Sequence, residues 1–552
     1  RKHTATAMRF RLWLLFSLVC ALRSLAHVCE GLGSALCDET SGYIAILDAG
    51  STHTGMFVFR YNRRKLVPSN FPLIIDSPLT VPELLATFRF IPGISSFVNK
   101  TGDLAAFLHS MCTAGKDAIL LHDPSVPVKH IPVYLAATAG LREMVLADRQ
   151  RIMHSVREYL GGDDNPFSFR RDEQARLLAG EEEGVFGWLA LNQFKAMISP
   201  DPHTTLGAID FGGGSVQITF IPMGTSILAG IFPMHFGGGS TAGPIHLYSH
   251  SHLRFGKITT WQRATQNLLD TVDNNSSQGD TVVAHPCLPP GVTWRVDPGE
   301  FGVTTNSMHP RRSNGPVVLR GSGDFHSCKA LAEQLIVVDT PCYQPPCSLN
   351  GVYQPELRNT TFVLFGEEEE FQRWEVQLRV RDGDSVLSAL RKQLPRVCSL
   401  PMATQLELFG HDSLMGVPPC WKGIWIHTFL TKGLHFEENS ADLRLIPGCC
   451  EHTFGQAIYE INFFPYLLEE VKPSKHLLLA EQPSKHSHLA EQMGTLPAEG
   501  GANAVGAWTV AAASVAGGFV GAAIAAATGQ CKRYASTGMM FPMALHDHLL
   551  QS

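Results

Sequence analysis

Two stretches decide the fold: Ile46-Leu47-Asp48-Ala49-Gly50-Ser51-Thr52-His53-Thr54 and Ala208-Ile209-Asp210-Phe211-Gly212-Gly213-Gly214-Ser215-Val216-Gln217. Each runs apolar strand, Asp, one spacer, Gly, a small-hydroxyl or Gly-rich turn, then a second apolar strand. A strand that ends in Asp and reverses through Gly and Ser lets backbone N–H groups approach a phosphate closely. The Asp adds a hard oxygen for Mg2+ or Ca2+, directly or through water. One such turn alone is an ordinary hairpin. Two copies imply two similar lobes facing one polyphosphate across a cleft.

The neighbouring chain extends this pattern. Residues 43–61 and 206–221 read as strand, turn, strand, and Val133 to Thr138 as a further apolar strand. Glu143 to Leu160 has helical spacing. Gln174 to Asn192 reads as a strand, a Glu-rich turn, then a helix beginning near Gly184. Strands alternating with helices predict an α/β fold. Residues 274–314 are rich in Gly, Pro and Asn and read as loop-heavy. A ten-residue segment is duplicated within 473–492; two copies are too few for a solenoid, so 466–504 reads as a linker.

At 552 residues the chain exceeds one ordinary core. Charged residues make up 17% and the net charge is −6, which gives no reason for a polyanion-binding surface and excludes nucleic acid as the expected partner.

Both ends carry membrane signals. Arg9 and Arg11 precede an apolar run, Leu12 to Leu22, and Ser24-Leu25-Ala26 supplies small residues after it; residues 1–28 read as a signal peptide or a short N-terminal anchor. Val505 to Gly529 carries no charge and is followed by Lys532 and Arg533. That predicts a transmembrane helix over 505–529, a cytoplasmic tail over 530–552, and a body that is extracellular or in the secretory lumen, the cell surface being favoured. Gly517 and Gly521 form a GxxxG pair, a route to a homo-oligomer through the membrane helix. Thirteen cysteines suit an oxidising compartment. Six of them, Cys287, Cys328, Cys342, Cys347, Cys398 and Cys420, form an even group whose connectivity spacing alone does not give. Glycosylation sequons stand at Asn99, Asn274, Asn275 and Asn359.

Four motifs carry a resemblance: Asp48 to Thr54, Ala137 to Arg142, Gly180 to Trp188 and Asp210 to Gln217. In this order and spacing the chain resembles the ecto-nucleoside triphosphate diphosphohydrolase (apyrase) family over about 42–465, most closely to about 250. The resemblance implies a two-lobed, actin-like (ribonuclease-H-type) fold with the active-site cleft between lobes. Lobe one would span 42–174, with 446–465 returning to it, and lobe two 175–445. It implies hydrolysis of the terminal phosphates of nucleoside tri- and diphosphates with Ca2+ or Mg2+. Metal and backbone N–H groups neutralise the transferring phosphoryl while a carboxylate activates water. By resemblance Glu183 is that base, and Ser215 and Gln217 hold the water. Asp48 and Asp210 hold the metal through water. Gly50, Ser51, Thr52, His53 and Thr54, with Gly212, Gly213 and Gly214, cradle phosphate; Thr138 and Arg142 support the site. The family pattern also implies Cys342–Cys347 and Cys398–Cys420 disulfides, with Cys287–Cys328 as a third.

Two segments depart from the family. Where it has aromatics that stack on the nucleobase, this chain has Phe362 to Phe371 with an acidic run, which alternatively starts a surface helix; Phe365 and Phe371 are the stacking candidates. Its last, Trp-containing motif appears as Gly448-Cys449-Cys450-Glu451-His452-Thr453-Phe454-Gly455. These departures leave two rivals: a non-catalytic nucleotide-binding or adhesion protein on the same fold, and a phosphotransferase such as a sugar kinase.

Overall fold

A computed structural model describes residues 41–50, 52–63, 80–198, 203–223, 229–234, 245–271, 281–296, 317–342, 344–366, 368–380, 384–409, 417–446 and 451–463. All belong to one compact unit ending at Lys472. The signal or anchor, the linker, the 505–529 span and the tail lie outside the described residues, as do Ser51 and residues 448–450.

The first sheet contains β1 (Ser41–Ala49), β2 (Thr54–Asn62), β3 (Glu83–Phe90), β4 (Val133–Ala137) and β5 (Ala175–Leu177), in the order β3-β2-β1-β4-β5. The second contains β6 (Gly207–Phe211), β7 (Ser215–Phe220), β8 (Ile231–Met234) and β9 (Ile245–Leu253). A small sheet of β10 (Thr281–His285), β11 (Thr293–Val296) and β12 (Val317–Gly321) follows. Then β13 (Phe362–Gly366) and β14 (Leu443–Leu445) complete the second sheet, in the order β14-β13-β6-β7-β9-β8.

The two large sheets share one plan. β1 pairs antiparallel with β2, β2 with β3, and β1 lies parallel to β4, which lies parallel to β5. Likewise β6 pairs antiparallel with β7, β7 with β9, and β6 lies parallel to β13, which lies parallel to β14. Both Asp-Gly turns therefore sit at the same place, between the central hairpin strands and at the C-terminal end of a strand with a parallel neighbour. The fold is two-lobed α/β.

Alternating side chains bury both faces of each sheet. In β1, Ala45 and Leu47 meet Leu104, Leu108 and Ile119 of the Thr101–His122 helix. Ile44 and Ile46 meet Ala457 and Ile461 of the last described helix, His452–Phe463. In the second sheet Ile209, Phe211, Val216 and Ile218 join the large core holding Trp261, Trp421, Trp425 and Phe429. Each such side chain stabilises the fold by about 1.5–3 kcal/mol on burial. The Thr101–His122 helix is, among the described residues, the one long and apolar enough to cross a membrane. Its buried face and the approach of Gly115 to Met56 and Val58 identify it as a core helix of the first sheet.

Three readings change. The Glu-rich helix starts at Gly180, not near Gly184. Three glutamates in a first turn are favoured by the helix dipole, so they open the helix. β5 pairs with β4, carrying the first sheet past the expected boundary at 174/175. The loop-heavy region contains β10 and β11. The acidic run at Glu368 does open a helix, Glu368–Leu378. All three implied disulfides, Cys287–Cys328, Cys342–Cys347 and Cys398–Cys420, are present.

Candidate active site

The site is assembled around the Gly180–Phe194 helix. Gly180, Gly184 and Gly187 recur at helical spacing on one face. A Cβ at Gly180 would lie 2.3 Å from Ser251, at Gly184 2.5 Å from Thr219 Oγ1, and at Gly187 2.9 Å from Phe365. The missing side chains let the helix lie directly on β7, β9 and β13. From the other side the His452–Phe463 helix packs so closely that a Cβ at Gly455 would meet the Phe186 carbonyl.

That placement gives the three glutamates separate partners. Glu182 receives both arms of Arg176, at 2.5 and 2.6 Å. Glu181 stands 3.9 Å from His250, and its carbonyl accepts from Ser249 Oγ at 2.7 Å. Glu183 is buried, and its Oε2 accepts from Arg142 Nη2 at 2.7 Å and from Gln217 Nε2 at 3.0 Å. Arg142 Nη2 also reaches Ser215 Oγ at 3.0 Å, and Gln217 Nε2 points at Ser215 Oγ (2.8 Å) and Ser251 Oγ (3.2 Å). The structure thus brings together Arg142 from the first lobe with Glu183, Ser215 and Gln217. Ser251 is an addition that sequence reading missed; a Ser249–Ser251 alternation on β9 was its only signal.

The two Asp-Gly turns are held alike. A Cβ on Gly50 would stand 3.1 Å from the His53 carbonyl, and one on Gly212 3.2 Å from the Ser215 carbonyl. In the first turn Thr52 Oγ1 lies 2.9 Å from His53 Nδ1, and the N–H and hydroxyl of Thr138 both donate to the Ala49 carbonyl. Thr54 is fully buried. In the second turn the carbonyls of Gly212 and Gly213 accept from Lys257, Ile258 and Thr259 at the start of the Lys257–Asp270 helix, and Gly214 accepts from Arg254. Those bonds fix the orientation of the turn's peptide planes.

Asp48 and Asp210 close the two strands beside Glu183. Burial and the neighbouring Glu183 carboxylate push Asp210 up to about 7, against the pull of His452 and Lys257. His452, unassigned by sequence reading, enters this cluster from the first turn of the last helix. Its Nε2 stands 3.5 Å from Asp48 Oδ1. Burial opposes charge on the ring, but Asp48, with Glu183 and Asp210, overrides it and lifts His452 to about 10. Its one signal was its place in the departing 448–455 motif.

Phe365 does not join the site. Its ring is 3% exposed and lies against Gly187 in the core with Val185, Trp188 and Val363, which leaves no face for a base. The side chain of Phe371 lies outside the described residues.

The GDA1/CD39 (nucleoside phosphatase) family model matches residues 34–467. The chain belongs to that family. It is 26% identical to rat ectonucleoside triphosphate diphosphohydrolase 1 over 429 residues, covering 73% of this chain and 77% of that one. It is 29% identical to a guanosine-diphosphatase of Saccharomyces cerevisiae over 351 residues, 61% of this chain and 62% of that enzyme. A crystal structure of nucleoside triphosphate hydrolases from Neospora caninum aligns with a TM-score of 0.54 over 82% of this chain and 98% of the other, at 14% identity, and shares the fold. As a member of the nucleoside phosphatase family, the chain is a nucleotide phosphohydrolase.

Proposed function

We propose that the cleft hydrolyses the terminal phosphate of nucleoside tri- and diphosphates by direct attack of water, with no phosphoenzyme. The observation that carries this reading is the position of the Glu183 carboxylate. It is held by Arg142 and Gln217 at 2.7 and 3.0 Å, beside Ser215 at the end of the second turn. Arg142 aims the Glu183 carboxylate, so that it can take a proton from water. Ser215 and Gln217 orient that water. The Gly50–Thr54 and Gly212–Gly214 turns bind phosphate, and Thr138 braces the first of them.

A divalent cation fits the donors present. Asp48 Oδ1 is buried with no hydrogen-bond partner, and Glu183 and Asp210 supply further oxygens nearby. Leaving such oxygens unmatched costs about 1–3 kcal/mol each. Asp48 and Asp210 would hold the ion, Ca2+ or Mg2+, which when bound supplies charge stabilisation to the transferring phosphate. The three disulfides and the ectonucleotidase relatives support an extracellular or luminal body, anchored through 505–529, where a homo-oligomer would form. Asn99 and Asn359 are exposed, as glycan acceptors must be.

The test is phosphate release by the full chain from ATP, ADP, UDP and GDP with Ca2+, Mg2+ or EDTA. The expected outcome is cation-dependent release, lost in Glu183→Gln. A trapped phosphoenzyme would overturn the mechanism; phosphate delivered to a sugar would turn the reading to a kinase.

A further inference from the structure

The cation site contains one donor that an all-oxygen site does not. Glu183, Asp210 and His452 each offer a ligand atom, and these atoms lie within 4.8 Å of one another. His452 is 7% exposed, and its Nε2 has no hydrogen-bond partner, although Asp48 Oδ1 stands 3.5 Å away. The backbone that carries the ring is fixed in place. It sits in the first turn of a helix pinned by the contact of Gly455 with the Phe186 backbone. A buried ring nitrogen flanked by carboxylates is an arrangement that a metal ion completes, the incoming cation replacing the ring proton, which leaves to solvent. The Oε2 of Glu183 already serves Arg142 and Gln217, which leaves Asp210 and His452 as the less committed donors.

We propose that His452 is a direct ligand of the cation, and that the site therefore binds a first-row transition-metal ion such as Mn2+, Co2+ or Zn2+ more tightly than Ca2+. The inference rests on the phosphohydrolase reading above and narrows its metal. Ca2+ takes six to eight oxygens in flexible geometry and gains little from an imidazole. First-row transition-metal ions, Mn2+ included, accept mixed nitrogen and carboxylate donors more readily than Ca2+ does. The competing arrangement is a ring that stays protonated and serves only as a fixed counter-charge to Asp48. In that case no metal–nitrogen bond forms.

Pulsed electron paramagnetic resonance on Mn2+ separates the two. The full chain in detergent is stripped with EDTA and loaded with Mn2+ alone, or with Mn2+ and methylenediphosphonate, a nitrogen-free diphosphate mimic. The expected result is a 14N modulation from a directly bound ring. It shifts to 15N frequencies in protein made with 15N-histidine and vanishes in His452→Gln. In that variant the preference for Mn2+ over Ca2+, read by titration calorimetry, falls about tenfold or more. The isotope arm needs no variant, so misfolding of His452→Gln does not weaken the test. Bound Mn2+ without nitrogen coupling, or coupling that persists in His452→Gln, overturns this inference and leaves the phosphohydrolase reading standing. Binding of neither Mn2+ nor Ca2+ under either condition overturns the cation site as well.

Discussion

The two Asp-Gly turns are alike in sequence, in strand pairing and in the crowding around their first glycine, yet their carboxylates have opposite neighbours. In the cation-free protein Asp48 faces only the cationic ring of His452, whereas Asp210, within reach of the same ring, also faces another carboxylate, Glu183. A duplicated backbone therefore supplies two equivalent phosphate cradles, and the chemistry differs through side chains delivered from elsewhere. Those side chains come from two helices in mutual contact, one after each lobe's sheet. What the duplication conserves is geometry; what it leaves free is charge.

That contrast can be broken in several ways. The largest effect is expected from Glu183→Gln, which removes the like charge beside Asp210 and the expected base. Phosphate release should fall by about 10²- to 10⁴-fold in protein that is still folded. Retained activity would place the base elsewhere. Next, in EDTA, Asp48→Asn strands a buried cation and should destabilise the protein by about 3 kcal/mol in denaturant titrations. Asp210→Asn instead relieves a repulsion and should cost nothing in stability. Equal costs would erase the distinction between the two carboxylates.

A third prediction uses pH. Between 3.8 and about 7 the unfolded chain has lost a proton that Asp210 keeps in the folded protein. The folded state binds more protons there, so cation-free stability should fall as pH rises through that window, by up to about 4 kcal/mol. Asp210→Asn should remove this slope and Asp48→Asn should leave it. The smallest effect is expected from Gly50→Ala and Gly212→Ala. Each Cβ meets a carbonyl three residues on, at 3.1 and 3.2 Å, so both should cost a similar amount, about 1 kcal/mol. Clearly unequal costs would show that the turns are not mechanical equivalents.

Much of this was legible in the chain because the turns are local. Asp, Gly and a hydroxyl within six residues report a strand, a reversal and a ligand type together, and the repeat of that pattern reports two lobes. The Arg142, Glu183, Ser215 and Gln217 cluster was reached through motif order, since nothing local says that residues 41 and 73 positions from Arg142 will touch it. What stayed hidden depends on packing. Gly180, Gly184 and Gly187 look like helix breakers in a Glu-rich turn, but they form the contact face of a helix whose stability comes from the sheet beneath it. Phe365 looks like an available ring at a strand end, until the missing side chain at Gly187 gives it somewhere to be buried. His452 stands in a motif that lost its familiar shape, and its carboxylate neighbours are hundreds of residues away.

The last helix has a further consequence, for the order in which the protein is made. His452 and the Gly455 contact are contributed by the last of the described elements, whereas the Asp48 hairpin is the first of them. Domains fold as units while the ribosome is still delivering chain. Both sheets can form on the nascent polypeptide, since β14 ends at Leu445, but the cluster beside Asp48 stays open until the segment after it has been translated. A truncation just before residue 451 should therefore yield a chain that contains every described strand and no working site, so that the enzyme stays off until the segment beyond β14 has been made.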